Sequence, residues 1–188
     1  MKKIVTTTLL LICIASISAY AQDDKPQKNG IRVGFHSASM VDAGSKPDTA
    51  NALNGFYVGF FRSKKVASIL HFDSGIEYFQ NGLKYTENSK RTLHTVSIPL
   101  DLRLKIGPLY ALGGAAINFK VSESYDIGDN SYPPTDNDKS NWFDVAAFAG
   151  AGVKIWILSV EARYHWGLLE VRDDLYNRYF QIGAAVSF

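Results

Sequence analysis

The chain has 188 residues, 46% of them hydrophobic and 20% charged, a size for one domain rather than several. Its 20 basic residues stand against 18 acidic ones, and two of the basic ones, Lys2 and Lys3, fall in an N-terminal export signal. The rest is therefore formally neutral, which excludes the basic footprint of a nucleic-acid binder, and the single cysteine, Cys13, also falls in the signal, which excludes disulfides and thiolate chemistry in the exported chain.

The signal spans Met1 to Ala21. Lys2 and Lys3 supply the positive start, residues 4–17 the apolar stretch, and Ala19-Tyr20-Ala21 a small-x-small site, so cleavage is expected after Ala21. Ile12 stands where lipoprotein processing wants a small residue before the cysteine, so no lipid anchor is expected at Cys13. Residues 22–188 then form one domain. No later stretch is long and apolar enough for a transmembrane helix, so the exported chain can span a membrane only as a closed barrel.

Eight extended segments follow, at 30–40, 55–63, 69–80, 93–106, 109–121, 143–153, 157–166 and 179–188. Strand side chains alternate with period 2, and the segments obey it. The first sets Ile31, Val33 and Phe35 against Arg32 and His36. The third sets Leu70, Phe72, Ile76 and Tyr78 against His71, Asp73 and Glu77. The fourth is clearest, with Val96, Ile98, Leu100, Leu102, Leu104 and Ile106 opposite Thr95, Ser97, Pro99, Asp101, Arg103 and Lys105. The fifth and sixth carry small residues on both faces, at 111–116 and 146–152, and their register stays open. The seventh sets Leu158, Val160, Ala162, Tyr164 and Trp166 against Ser159, Glu161, Arg163 and His165. The last sets Phe180, Ile182, Ala184, Val186 and the terminal Phe188 against Gln181, Gly183, Ala185 and Ser187.

The connections alternate too. Those at 41–54, 81–92, 122–142 and 167–178 are long and polar, while those at 64–68, 107–108 and 154–156 are short. Long loops on one side and tight turns on the other are how outer-membrane barrels are built. Phe56, Tyr78, Phe119, Phe143, Trp166 and Phe180 fall near one set of strand ends, and Trp156 and Phe188 near the other, as interfacial girdles would. The fold expected is an eight-stranded antiparallel up-and-down transmembrane β-barrel with a polar, filled lumen.

On that reading the charged face points inward. It gives a lumen network of Arg32, Asp73, Glu77, Asp101, Arg103, Lys105, Glu161, Arg163 and His165, with cations facing anions as buried charges require. A barrel of eight strands is filled by its own side chains, so a plugged barrel is expected rather than a pore. No phosphate loop, His-Glu-x-x-His helix or Gly-x-Ser-x-Gly elbow is present, and no cofactor is expected. Lipid A deacylases resemble the chain in size and barrel, but they place a serine directly after a catalytic histidine. Here Trp166 follows His165, and the nucleophile is missing. Asp126, Asp129, Asp136 and Asp138 lack EF-hand order and read as a solvated acidic loop.

These motifs resemble the PorT-like outer-membrane β-barrel family of Gram-negative bacteria. Gly30-Ile-Arg-Val-Gly-Phe is similar to its first strand, and Ser74-Gly-Ile-Glu-Tyr-Phe-Gln-Asn-Gly-Leu-Lys-Tyr to its third. Val96-Ser-Ile-Pro-Leu-Asp-Leu-Arg-Leu-Lys is similar to the fourth, and Phe148-Ala-Gly-Ala-Gly-Val, Ala162-Arg-Tyr and Gly167-Leu follow the same pattern. The resemblance implies an outer-membrane fold, and for some members a part in protein secretion or gliding. The chain is thus expected to be a non-enzymatic outer-membrane monomer with a structural or loop-mediated role. Its expected partners are outer-membrane lipid, the barrel-assembly machinery reading the strand that ends at Phe188, and a protein or surface met by the four long loops. Two alternatives stay open: a secreted lipocalin-like barrel with its apolar face inward, and a secretion accessory.

Overall fold

The computed structural model describes residues 27–42, 52–86, 89–127, 130–133, 141–172 and 175–188. The expected signal at 1–21 and its cleavage site lie outside the described residues. So does most of the connection between the first two strands.

Among the described residues nine strands are formed: β1 (Gln27–Asp42), β2 (Leu53–Lys65), β3 (Leu70–Thr86), β4 (Ser89–Ile106), β5 (Leu109–Ile127), β6 (Asn130–Tyr132), β7 (Phe143–Ile155), β8 (Leu158–Arg172) and β9 (Leu175–Ser187). Eight of them make a closed ring in which every neighbouring pair is antiparallel, and β6 is a short rider on β5 above the ring. The ring closes between β1 and β9, in register from Gly30 opposite Ser187 to Asp42 opposite Leu175. Beyond that register Asn29 and Phe188 exchange both backbone hydrogen bonds, at 2.9 and 2.8 Å. Closure leaves no raw sheet edge within the ring, which is what a lipid environment demands of a β structure.

The alternation puts apolar side chains outside. Ile31, Val33 and Phe35 of β1, Leu102 and Leu104 of β4, Val160 of β8 and Ile182 of β9 are exposed, while Arg32, Asp101, Arg103, Glu161, Arg163 and Gln181 are buried. This is the reverse of the lipocalin-like alternative, which needed the apolar face inside. The outward aromatics include Phe56, Tyr78, Trp166 and Phe180 toward the end bearing the long hairpins (the loop end), with Trp156 and Phe188 at the opposite, turn end. Phe119, Trp142 and Phe143 pack together at centroid distances of 5.7 to 6.1 Å, the first two stacked and Phe143 tilted against both.

The strands are longer than the sequence pattern suggests, most of all at the loop end, while β1, β2 and β7 also gain two or three residues at the turn end. The connection read as 81–92 is mostly strand, since β3 runs to Thr86 and β4 starts at Ser89; that read as 167–178 contains the end of β8 and the start of β9. Likewise 122–127 belongs to β5 and 130–132 to β6. Above the apolar band neither strand face meets lipid, so period-2 hydrophobicity vanishes, yet backbone pairing continues. At the turn end Gly107 and Trp156 each take a left-handed φ, of 62° and 60°. They open the two-residue connections between Ile106 and Leu109 and between Ile155 and Leu158, where a positive φ matches the twist of the hairpin.

The small residues of β5 and β7 also find their reason. Leu112, Ala116, Ala146 and Phe148 face inward. A Cβ at Gly152 would lie 2.4 Å from the Tyr110 ring, so this glycine lets the tyrosine lie flat along the inner wall. Gly34 and Gly183 face each other across the β1–β9 seam and do the same for Tyr57.

Candidate functional site

The lumen is filled in layers. The deepest layer toward the turn end is ionic, and three guanidiniums meet four carboxylates there. Arg163 grips Glu77 with two nitrogens at 2.9 and 3.2 Å and approaches Glu161 at 3.4 Å. Arg32 reaches Glu77 at 3.1 Å and Glu161 at 3.3 Å. Arg103 lies 3.0 Å from Asp73, 3.3 Å from Glu161 and 3.8 Å from Asp101. Glu161 is the hub, touching all three arginines and accepting a hydrogen bond from the Tyr110 hydroxyl at 2.8 Å.

Every charge in this layer is almost wholly buried. Such charges persist only in mutual contact, because desolvation costs each ion several kcal/mol. The arginines also lie over aromatic rings, Arg32 on Phe61 at 4.4 Å, Arg103 on Tyr110 at 4.5 Å and Arg163 on Tyr57 at 5.3 Å. The outcome is a cross-linked plug joining β1, β3, β4, β5 and β8.

Above it lies a layer of rings. His165 stacks on Tyr179 at 4.1 Å and on Phe148 at 4.6 Å. His36 stacks on Phe79 at 4.6 Å and sits 5.0 Å from Tyr179. A third layer gathers amides about one acid, with Asn177 and Asn118 donating to Asp144 at 3.0 and 3.4 Å, and Asn118 also 3.4 Å from the Tyr179 hydroxyl. At the loop end Glu123 of β5 joins Arg91 of β4 and Lys120.

The structure thus brings together Arg32, Asp73, Glu77, Asp101, Arg103, Glu161 and Arg163. It places the other two elsewhere: Lys105 lies at the turn-end mouth, outside the ion-pair mesh, and His165 belongs to the ring layer. Asp144, Asn118, Asn177 and the three inward tyrosines were not read from the sequence. In β2 Tyr57 and Phe61 alternate with Phe56, Val58 and Phe60, so both faces look apolar and hydrophobicity alone cannot sort them. Only parity counted from Gly55 or Ser63 carries a signal.

Chemically, this arrangement fixes charge and excludes access. His165 has a ring packed on each face, and Trp166 points outward from the barrel, away from it. Asp126 lies on β5, 3.8 Å from Lys90, whereas Asp129, Asp136 and Asp138 fall outside the described residues. Among the described residues no group of three or more His, Cys, Asp or Glu is placed to hold a metal ion.

Known structures share the architecture. Ail, the attachment invasion locus protein of Yersinia pestis, superposes with a TM-score of 0.53 at 17% identity, covering 86% of this chain and 98% of that one. Ail in complex with the heparin analogue sucrose octasulfate gives 0.52 at 16%, over 86% and 99%. Neisserial surface protein A gives 0.52 at 13%, over 86% and 97%. At such identities the likeness shows the fold alone. No curated protein matches the sequence. The outer membrane protein beta-barrel domain matches residues 20–172, most of the length, and with its closed ring, outward apolar band and ionic lumen the chain belongs to that family of integral outer-membrane barrels.

Proposed function

We propose that this barrel is a non-enzymatic, non-conducting envelope protein whose work is done structurally and through the hairpins at its loop end. The carrying observation is the ionic plug: Glu161 and Glu77 tie three arginines across the lumen, while strands β3, β4, β5 and β8 continue beyond the apolar band. A barrel closed inside and extended above offers its surface, not its interior. On the resemblance of its motifs we read it as a PorT-like barrel that works as a monomer. Ail binds a heparin analogue; here the corresponding partner is a protein or surface met by the segments 41–54, 81–92, 122–142 and 167–178.

Two measurements test this. In planar lipid bilayers the purified protein should give no discrete channel openings; regular steps would assign it a pore. In a deletion strain, a version with residues 128–140 replaced one for one by glycine and serine, which leaves β5 and its Glu123 in place, should reach normal membrane levels yet fail to restore envelope resistance to detergent. Full restoration would end the loop-mediated reading.

We also assign the assembly signal to Phe188. Its backbone completes the seam with Asn29 while its side chain points outward, 67% exposed, where it is free to be read. The Phe188→Ala chain keeps the seam's backbone bonds, so it should fold normally when refolded in detergent yet accumulate severalfold less in the outer membrane. Equal membrane levels would refute the signal.

A further inference from the structure

Strand alternation makes one residue the last inward-facing side chain of each strand at the turn end. Four of these are lysines: Lys28 of β1, Lys65 of β2, Lys105 of β4 and Lys154 of β7. All four line a single cavity of about 200 Å³ that opens at this mouth. None of the four is ion-paired with a described residue, in contrast to the arginines immediately above. The last inward residues of the other strands are His71, Tyr110, Ser159 and Ser187, so none contributes a carboxylate.

The acid in the cavity wall, Asp73, is already engaged by Arg103 at 3.0 Å. Lys154 donates to the Ser187 hydroxyl at 2.8 Å, so its ammonium is held against the rim rather than free in solvent. Like charges gathered about one opening raise its potential, and a concave wall of low dielectric focuses that field on whatever occupies it.

We propose that this mouth is a binding site for a phosphoryl anion. Lysine ammoniums recognise phosphoryl oxygens as point charges without demanding the planar geometry an arginine fork imposes. A multiply charged oxyanion satisfies several ammoniums at once, which one carboxylate does not. Serine hydroxyls at Ser63 and Ser187 add neutral donors to the same wall. At about 30 Å³ per water, the cavity has room for roughly six waters or for one such group.

The phosphoryl group has two possible sources. One is a soluble phosphorylated compound. The other is a phospholipid headgroup, because Ile106, Ile155 and Trp156 are strongly exposed on the outer surface of this end and bring the headgroup layer beside the mouth.

The test uses the folded barrel in a non-ionic detergent, with inorganic pyrophosphate as the soluble probe in titration calorimetry. Short-chain phosphatidylglycerol, read by native mass spectrometry, is the lipid probe. Saturable binding of either is expected, weakened about tenfold by Lys105→Gln with Lys154→Gln, and unchanged by Lys90→Gln at the opposite end. Lys28→Gln with Lys65→Gln, at more exposed positions, gives a second pair should the first not fold, as judged by heat-dependent mobility in SDS. Pyrophosphate binding identifies a soluble ligand, and retention of lipid without pyrophosphate identifies a headgroup. Absence of both, or binding that a folded mouth variant does not weaken, overturns the proposal.

Discussion

Replacing Arg163 with methionine should destabilise the barrel by about 3–5 kcal/mol, the usual cost of removing one partner from a buried ion pair. Methionine fills much of the same space, so the loss reports charge rather than a cavity. Arg163 is buried and holds both oxygens of Glu77, at 2.9 and 3.2 Å, while also approaching Glu161. Without it two guanidiniums face four carboxylates in a space that water barely reaches. Urea unfolding from lipid vesicles, followed by tryptophan fluorescence, measures the effect. Adding Glu77→Gln to the same chain should restore a large part of the loss, because the uncompensated charge disappears with it. Independent, additive losses would show that the two residues are not coupled.

The ring layer should be nearly as costly to break. Tyr179→Ala is expected to lose about 3–5 kcal/mol, as for other large aromatic deletions in packed interiors. That side chain lies against His36, Phe79 and His165 together, so its removal opens the middle of the lumen. Tyr179→Phe keeps the ring and gives up only the hydroxyl, 3.4 Å from Asn118, which sets its cost at about 0.5–1.5 kcal/mol. Equal losses for the two variants would shift the importance from stacking to the hydroxyl.

Much of the architecture was legible because lipid imposes a strict rule on one strand face. Strands β4, β8 and β9 show clean alternation, and the inward charges could be named from it. Where the rule lapses, so does legibility. Residues 81–86 and 167–172 carry no alternation because they rise past the lipid, and β7 carries little where Gly152 makes room for the Tyr110 ring and Gly150 for the stem of Arg163. Ion-pair partners were beyond reach for another reason. Arg32 and Arg163 meet Glu77 from 45 and 86 residues away, and which charges share a level depends on how far each strand is staggered around the ring. Lys105 shows this most plainly: it continues the inward series of Asp101 and Arg103, yet one more step along β4 carries it out of the plug and into the mouth.

The seam between β1 and β9 also sets a timetable. Among the described strands β1 pairs with β9, so β1 gains its second neighbour only when a segment more than 130 residues away in the chain folds back onto it. Bringing such distant segments together carries the largest loop-closure entropy in the molecule, and contacts of this kind form slowly. Until residues 175–188 arrive, β1 and β8 each present a row of unpaired backbone groups able to join any other strand. The intermediate is therefore most hazardous just before completion, and a chain stalled or clipped near its C-terminus keeps two adhesive edges while lacking only one-eighth of its wall.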